Sequence, residues 1–296
     1  MRSIDGRGNG SGNQARLMRA LLAGTALSAF ATLPAAAQNA TWLGATSGDY
    51  RTVANWNPAT IPGIIDTATF GASSRTDLTF SVLNTTVGTW AFAGTAPAYT
   101  YTIDGPQRLQ FTNGGITGGV NATIFNDGTL FFNANSVSGG ATIVTRAAGV
   151  TQFDFGGNGS GSHFNTQAAG VFDISKVTGG FVAGSIEGAG DYFIGSKILA
   201  VGSDNSSSTV DGKIRDGGVV GGVGGSLLKD GTGTLTLLGV NTYTGGTRIG
   251  GGTLIVNGSI ASSDHTVVDP GATLAGSGTV GRTTIGGDVP TVEQVE

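Results

Sequence analysis

Two carboxylates set among aromatic residues are the first groups in this chain that could do chemistry. Asp154 lies in Gln152-Phe153-Asp154-Phe155 and Asp173 in Phe172-Asp173-Ile174, 19 residues later. If successive strands stack with that period, the two carboxylates come about 4.8 Å apart. At that spacing they repel or hold a cation between them, and acidic pairs can serve acid–base attack on sugar polymers. If the register differs, or both point to solvent, they do neither, and no catalytic residue is assigned. His163 and His265 are the two histidines. Neither has a partner at metal-ligand spacing, and no Ser-His-Asp grouping is readable along the chain. The glycine-rich runs 156–161 and 221–225 lack the ending of a phosphate loop and the aspartates of calcium-binding repeats, so they read as turns. No cofactor or metal site is assigned. Tyr99 and Tyr101 alternate with Thr100 and Thr102, which suits inward packing better than a sugar-stacking stripe.

The elements that must position these residues are short strands. Stretches such as 100–104, 122–128, 128–133, 141–145, 151–157, 171–175, 234–239, 253–259 and 273–281 alternate β-branched or aromatic residues with small polar ones. Turn dipeptides punctuate them: Asp104-Gly105, Asp127-Gly128, Asp211-Gly212, Asp230-Gly231 and Asn257-Gly258. Thr234, Thr253 and Thr273 open three similar strands at steps of 19 and 20; Thr123 and Thr142, and Phe153 and Phe172, repeat the step. A period near 20 predicts a solenoid, in which each coil satisfies its backbone and covers its apolar face only by stacking on neighbours. An antiparallel sandwich would instead turn every 8–12 residues or so. In stacked coils Leu235, Leu237, Ile255 and Leu274 are expected inside, and Thr234, Thr236 and Thr253 outside. Residues 41–70, with Trp42, Trp56, Pro58 and Pro62, are expected to cover the sticky first edge.

Composition agrees. There are 54 glycines in 296 residues, 39% hydrophobic residues, only 11% charged ones and no cysteine. Glycine and asparagine at this level could mark flexible linker, but the apolar alternation runs along most of the length. The absence of cysteine excludes a disulfide framework and a thiolate metal site. Residues 16–38 read as an export signal: Arg16 and Arg19, an apolar stretch from Ala20 to Leu33 too short to span a bilayer, then Ala35-Ala36-Ala37. Cleavage is placed between Ala37 and Gln38, and Met18 is an alternative start to Met1. Removing residues 1–37 takes away Arg2, Arg7, Arg16, Arg19 and Asp5, leaving 11 basic and 18 acidic residues and a net charge of −7. No basic cluster remains, so nucleic acid is excluded as a partner.

Residues 226–281 carry the most specific pattern. Lys229, Gly231, the run Gly233-Thr234-Leu235-Thr236-Leu237, the run Asn241-Thr242-Tyr243-Thr244-Gly245-Gly246-Thr247, then Gly252-Thr253-Leu254 and Gly271-Ala272-Thr273-Leu274 follow in order. This resembles the passenger-associated transport repeat of autotransporters, and residues 41–71 and 186–218 resemble the flanking coils more weakly. The resemblance implies an all-β, right-handed parallel β-helix with an N-terminal signal peptide helix. It divides the chain into a signal peptide (1–37), a β-solenoid passenger region with an N-terminal cap (38–225), the repeat (226–285) and an irregular tail (286–296). It also implies a non-enzymatic structural or adhesive role outside the cell, with the repeat aiding secretion and folding. The partners expected are surface molecules of a host or neighbouring cell, or polysaccharide, together with an outer-membrane β-barrel. No barrel pattern follows residue 285, so the sequence reads as a passenger fragment, periplasmic if the barrel is missing. The alternative is a carbohydrate-active β-helix enzyme; the lack of any Lys between 38 and 175, and only four Arg there, weighs against it.

Overall fold

The computed structural model describes residues 36–286. The signal peptide helix and the tail beyond Gly286 lie outside the described residues. Among the described residues strands account for nearly all the regular structure, with a single 3-10 turn at Val53–Asn55. Among the described residues no helix is long and apolar enough to cross a membrane.

Successive strands alternate between two sheets. Thr67–Phe70, Asn84–Phe92, Arg108–Thr117, Thr129–Phe132 and Val150–Phe155 belong to a ten-stranded sheet. Asp77–Leu78, Tyr99–Ile103, Ala122–Asn126 and Thr142–Thr145 belong to an eleven-stranded one. Each strand pairs in parallel with the one before and the one after it in its own sheet, so each coil adds one rung to both. The chain is a parallel β-solenoid. Arg108, Thr129, Val150 and Val171 stand one above another in a single evenly spaced column.

The outside of each coil faces water. Parallel strands are usually buried on both faces and read as continuous apolar runs; here only the inner face is dry, and Tyr99–Ile103 and Ala122–Asn126 alternate between buried and half-buried residues. Tyr99 and Tyr101 both point inward and are fully buried. At the tight corners backbone carbonyls of one coil press on the next. A Cβ at Gly231, where φ is +70°, would run into the carbonyl oxygen of Gly202 on the coil below, so only glycine fits.

The first strands end the ten-stranded sheet in a different pairing. Trp56–Asn57 lies antiparallel on Ala40–Trp42, the one antiparallel pairing among the described strands, and Trp42 and Trp56 pack edge-to-face with centroids 5.1 Å apart. Turning the terminal strand back in this way ends the stack without a fresh parallel edge.

Three residues depart from expectation. Ile255 faces outward, because Leu254 and Val256 hold the inward positions opposite Leu235 and Leu237. Phe153 and Phe172 are both buried, but Phe172 pairs with Thr151 rather than with Phe153. The rung that joins Val150 to Val171 spans a longer stretch of chain than the one separating Phe153 from Phe172, and a bulge after Gln152 shifts the register further.

Candidate functional site

The ten-stranded sheet ends at Lys213–Arg215, and the coils change shape. From Ser226 onward strands belong to the eleven-stranded sheet, to a two-stranded pair (Ser259–Ile260 with Thr279–Val280) or to a four-stranded sheet. Thr234, Thr253 and Thr273 align in register on its outer face, while Leu235, Leu254 and Leu274 align beneath them. None of these pairings is broken by a bulge.

Of the residues that carry the sequence pattern, Lys229, Asn241, Tyr243 and Thr247 lie inside these coils. Lys229 is 1% exposed, although its neighbours read Leu-Leu-Lys. Strand alternation puts Leu227 and Lys229 inward and Leu228 outward. Its ammonium donates to the carbonyl of Asp230 at 2.7 Å and to those of Gly231 and Gly251 at 3.2 Å each. Gly251 belongs to the next coil, so one side chain ties two corners together. Burial lowers the Lys229 pKa from its usual value, with the Asp230 charge opposing. A buried ammonium must be hydrogen-bonded to be tolerated at all, and three carbonyls meet its three donors.

Asn241 does the same where the ten-stranded sheet has run out. Its Oδ1 accepts the Ile214 amide at 2.8 Å, and its Nδ2 donates to the carbonyls of Gly239 and Ser259 at 3.2 and 3.1 Å. The side chain therefore stands in for missing strand backbone between the coil below and the coil above. Tyr243 is buried with its hydroxyl 2.7 Å from Thr247 Oγ1; Thr247 lies 3.0 Å from Ser263 Oγ, which donates to the Gly245 carbonyl at 2.9 Å. Burial pushes the Tyr243 hydroxyl pKa up, with the Thr247 bond opposing. Lys229, Asn241, Tyr243 and Thr247 thus form an interior polar clamp. Their types were visible in sequence, but not their roles; the inward phase of Lys229 was the available signal.

The other singled-out residues are placed elsewhere. Asp154 and Asp173 do not face each other: Asp154 pairs with Lys176 and Asp173 with Gln152. Asp154 accepts from Gln152 Nε2 at 2.8 Å and lies 3.4 Å from the Lys176 ammonium. Asp173 accepts the amides of Ser175 and Val219 at 2.8 and 2.7 Å, pinning the glycine-rich turn 217–221. His265 sits beside Asp264 on the surface, 3.1 Å away. Ala37 and Gln38 are exposed, and the Gln38 amide donates to Asp66 at 2.7 Å.

His163 does acquire partners that the sequence did not reveal. Its Nδ1 lies 2.6 Å from Ser185 Oγ and its Nε2 2.9 Å from Glu187 Oε1. This is the outline of a serine relay, yet Ser185 is 1% exposed and its hydroxyl donates to Asp204 at 2.7 Å. Burial disfavours the Asp204 charge, but bonds from Ser185 and Ser206, with His163 nearby, hold its carboxyl below the usual range. A hydroxyl bound to a carboxylate and closed to solvent offers no line of attack on a substrate carbonyl.

Comparison with known proteins bears on the clamp. The family model of the passenger-associated transport repeat matches residues 227–256, the stretch that holds Lys229, Asn241, Tyr243 and Thr247. The chain is similar to an extracellular serine protease of Serratia marcescens, 49% identical over 57 residues that make up 19% of this chain and 5% of that protein. It is also similar to the adhesin BmaC autotransporter of Brucella suis biovar 1 (strain 1330), 34% identical over 106 residues, 33% of this chain and 3% of that protein. The chain thus matches only a few per cent of the length of these relatives. No solved structure matches it significantly. Residues 227–256 match a passenger-associated transport repeat, and a parallel β-solenoid carries them.

Proposed function

We propose that this chain is an exported, non-enzymatic passenger segment of a Gram-negative surface protein, structural or adhesive in role, whose repeat aids its own secretion and folding. The observation that carries the reading is the interior clamp. Lys229 and Asn241 hold hydrogen bonds to the coils before and after them, so a finished repeat presents its neighbour with a pre-set register. Coils that fold outside a membrane and template the next one supply a directional pull, because each rung gains backbone pairing and apolar burial only beside a folded neighbour. A chain with 11% charged residues also threads at low electrostatic cost. The non-enzymatic part is supported by the closed Ser185 hydroxyl and by the separation of Asp154 from Asp173 in the ladder.

The test places the chain ahead of an outer-membrane β-barrel in a Gram-negative host and measures surface exposure by external protease. Deleting residues 227–256 is expected to lower the displayed amount several-fold while the barrel still inserts. Undiminished display of the shortened chain overturns the role of the repeat. N-terminal sequencing of the exported product is expected to begin at Gln38.

A further inference from the structure

On the outer face of the ten-stranded sheet, four successive coils converge on an open groove of about 430 Å³. Arg108 comes from the first coil, Phe131 from the second, Gln152, Asp154 and Phe155 from the third and Lys176 from the fourth. These residues are far apart in sequence, and only the coil stacking assembles them.

We infer that this groove binds an acidic oligosaccharide, without cleaving it. Three features point there. First, Arg108 lies with its guanidinium carbon 4.9 Å from the Phe131 ring centre, and its Nε is buried with no acceptor among the described atoms. The side chain as a whole is half-buried and no ion pair engages it among the described residues, so its outer N–H groups, rather than the buried Nε, are left for an incoming acceptor. Second, Phe131 points outward in its strand yet is only 8% exposed; the Arg108 stack shields it and fixes the guanidinium plane over the groove. Third, Phe155 at the rim is 57% exposed and held at φ +53°, a left-handed conformation that a bulky residue rarely adopts. Strain of this kind persists where the surrounding structure enforces it and collects at binding sites. Nothing in the core requires this ring, which stands free to stack on the apolar face of a sugar.

The ligand class follows from the charges. Arg108 and Lys176 face a single carboxylate, Asp154, which is 6% exposed and already holds Gln152 and Lys176. The groove therefore carries one cation in excess, although the chain as a whole is acidic. Hydroxyl groups suit a floor of carboxylate and amide, pyranose faces suit the exposed aromatic ring, and a carboxylated sugar suits the free edge of Arg108, which can grip it with two parallel bonds. The rungs repeat every ~4.8 Å, comparable to one sugar unit of an extended chain, so neighbouring units meet neighbouring coils. Glycoside hydrolysis needs a second carboxyl group across the scissile bond. The nearest candidate in sequence, Asp173, is committed to the amides of Ser175 and Val219, so the groove holds without cutting.

This inference rests on the adhesive half of the reading above. Its test is independent of the display experiment, which concerns residues 227–256. Titration calorimetry of the purified chain uses tetragalacturonate as the acidic probe and cellotetraose as the neutral one. Tetragalacturonate is expected to bind saturably, with a Kd of about 1 mM or tighter, and to weaken as salt is added. Arg108→Gln is expected to weaken it about tenfold or more. Phe155→Gly is expected to weaken binding while raising Tm by about 2 °C, because glycine removes the strain; a purely structural ring would not separate the two readouts. Equal affinity for cellotetraose overturns the acidic assignment. No saturable heat with either sugar, or unchanged affinity in Arg108→Gln, overturns the site.

Discussion

The first coils and the repeat solve the same stacking problem with different chemistry. Between Trp42 and Tyr192 the interior is a continuous aromatic column: Trp90 stacks on Tyr101 at 4.1 Å, Phe132 on Phe153 at 4.5 Å, and Phe153 meets Phe181 at 4.6 Å. In the repeat the interior is aliphatic, with Tyr243 alone of its type, and the polar clamp runs through it. The ladder follows the chemistry. Three pairings among the earlier coils carry a bulge, whereas the repeat strands from Ser226 to Ala275 pair without one. Aromatic faces attract over a range of offsets, so a column of rings tolerates slippage. A hydrogen bond between a side chain and one particular carbonyl does not. Large rings therefore supply cohesion, and buried polar groups supply register.

Substitutions can break that contrast. The largest effect is expected from Trp90→Ala, which leaves a void among Tyr50, Phe70, Tyr101 and Phe111 and should cost about 4 kcal/mol. Hydrogen exchange should show the loss spread over neighbouring coils, with the repeat protected as before. Lys229→Ala comes next. It strands three carbonyls in the interior, at a cost of about 3 kcal/mol, and urea unfolding followed by exchange should place the loss in residues 226–256. An equal loss of protection in both regions for either variant would erase the distinction.

Two tyrosines sharpen it further. Tyr243→Phe removes the hydroxyl that Thr247 binds and should destabilise by about 1 kcal/mol. Tyr101→Phe should stabilise by a similar amount, about 1 kcal/mol, since the Tyr101 hydroxyl is buried with no partner among the described atoms. The smallest effect is on alkaline unfolding. Burial raises the pKa of Tyr101, Tyr192 and Tyr243. The unfolded chain then loses these protons first, so stability is full below about pH 10 and falls as pH rises beyond it. Tyr101→Phe should move the onset of that loss, read by circular dichroism, to higher pH.

Much of this was readable before any coordinates. Single-sided burial leaves a period of two in each strand, and the repeat spells its own spacing through Thr234, Thr253 and Thr273. What could not be read depends on register. Carrying the repeat's spacing back to Asp154 lands on Asp173, but the local coil, from Val150 to Val171, is longer and bulged. The resulting slip puts a lysine where a carboxylate was expected. Ile255 went astray by one position, which in a strand means the opposite face. The long strands Arg108–Thr117 and Gly180–Glu187 are diluted by glycine and small polar residues and leave little apolar signal. The groove was invisible for a related reason: Arg108, Gln152 and Lys176 become neighbours only once the coils are counted correctly.

The orientation of the backbone pairing also sets how the molecule bears load. Among the described strands every ladder after the first strand pair runs parallel, coil upon coil, so the bonds that join one coil to the next lie along the direction in which the coils are stacked. Tension applied at the two ends meets the rungs singly and peels them in turn. A coil such as the one from Val150 to Val171 releases about 70 Å of slack as it opens. A stack built this way yields in small increments, and each released coil can wind back onto the one still standing.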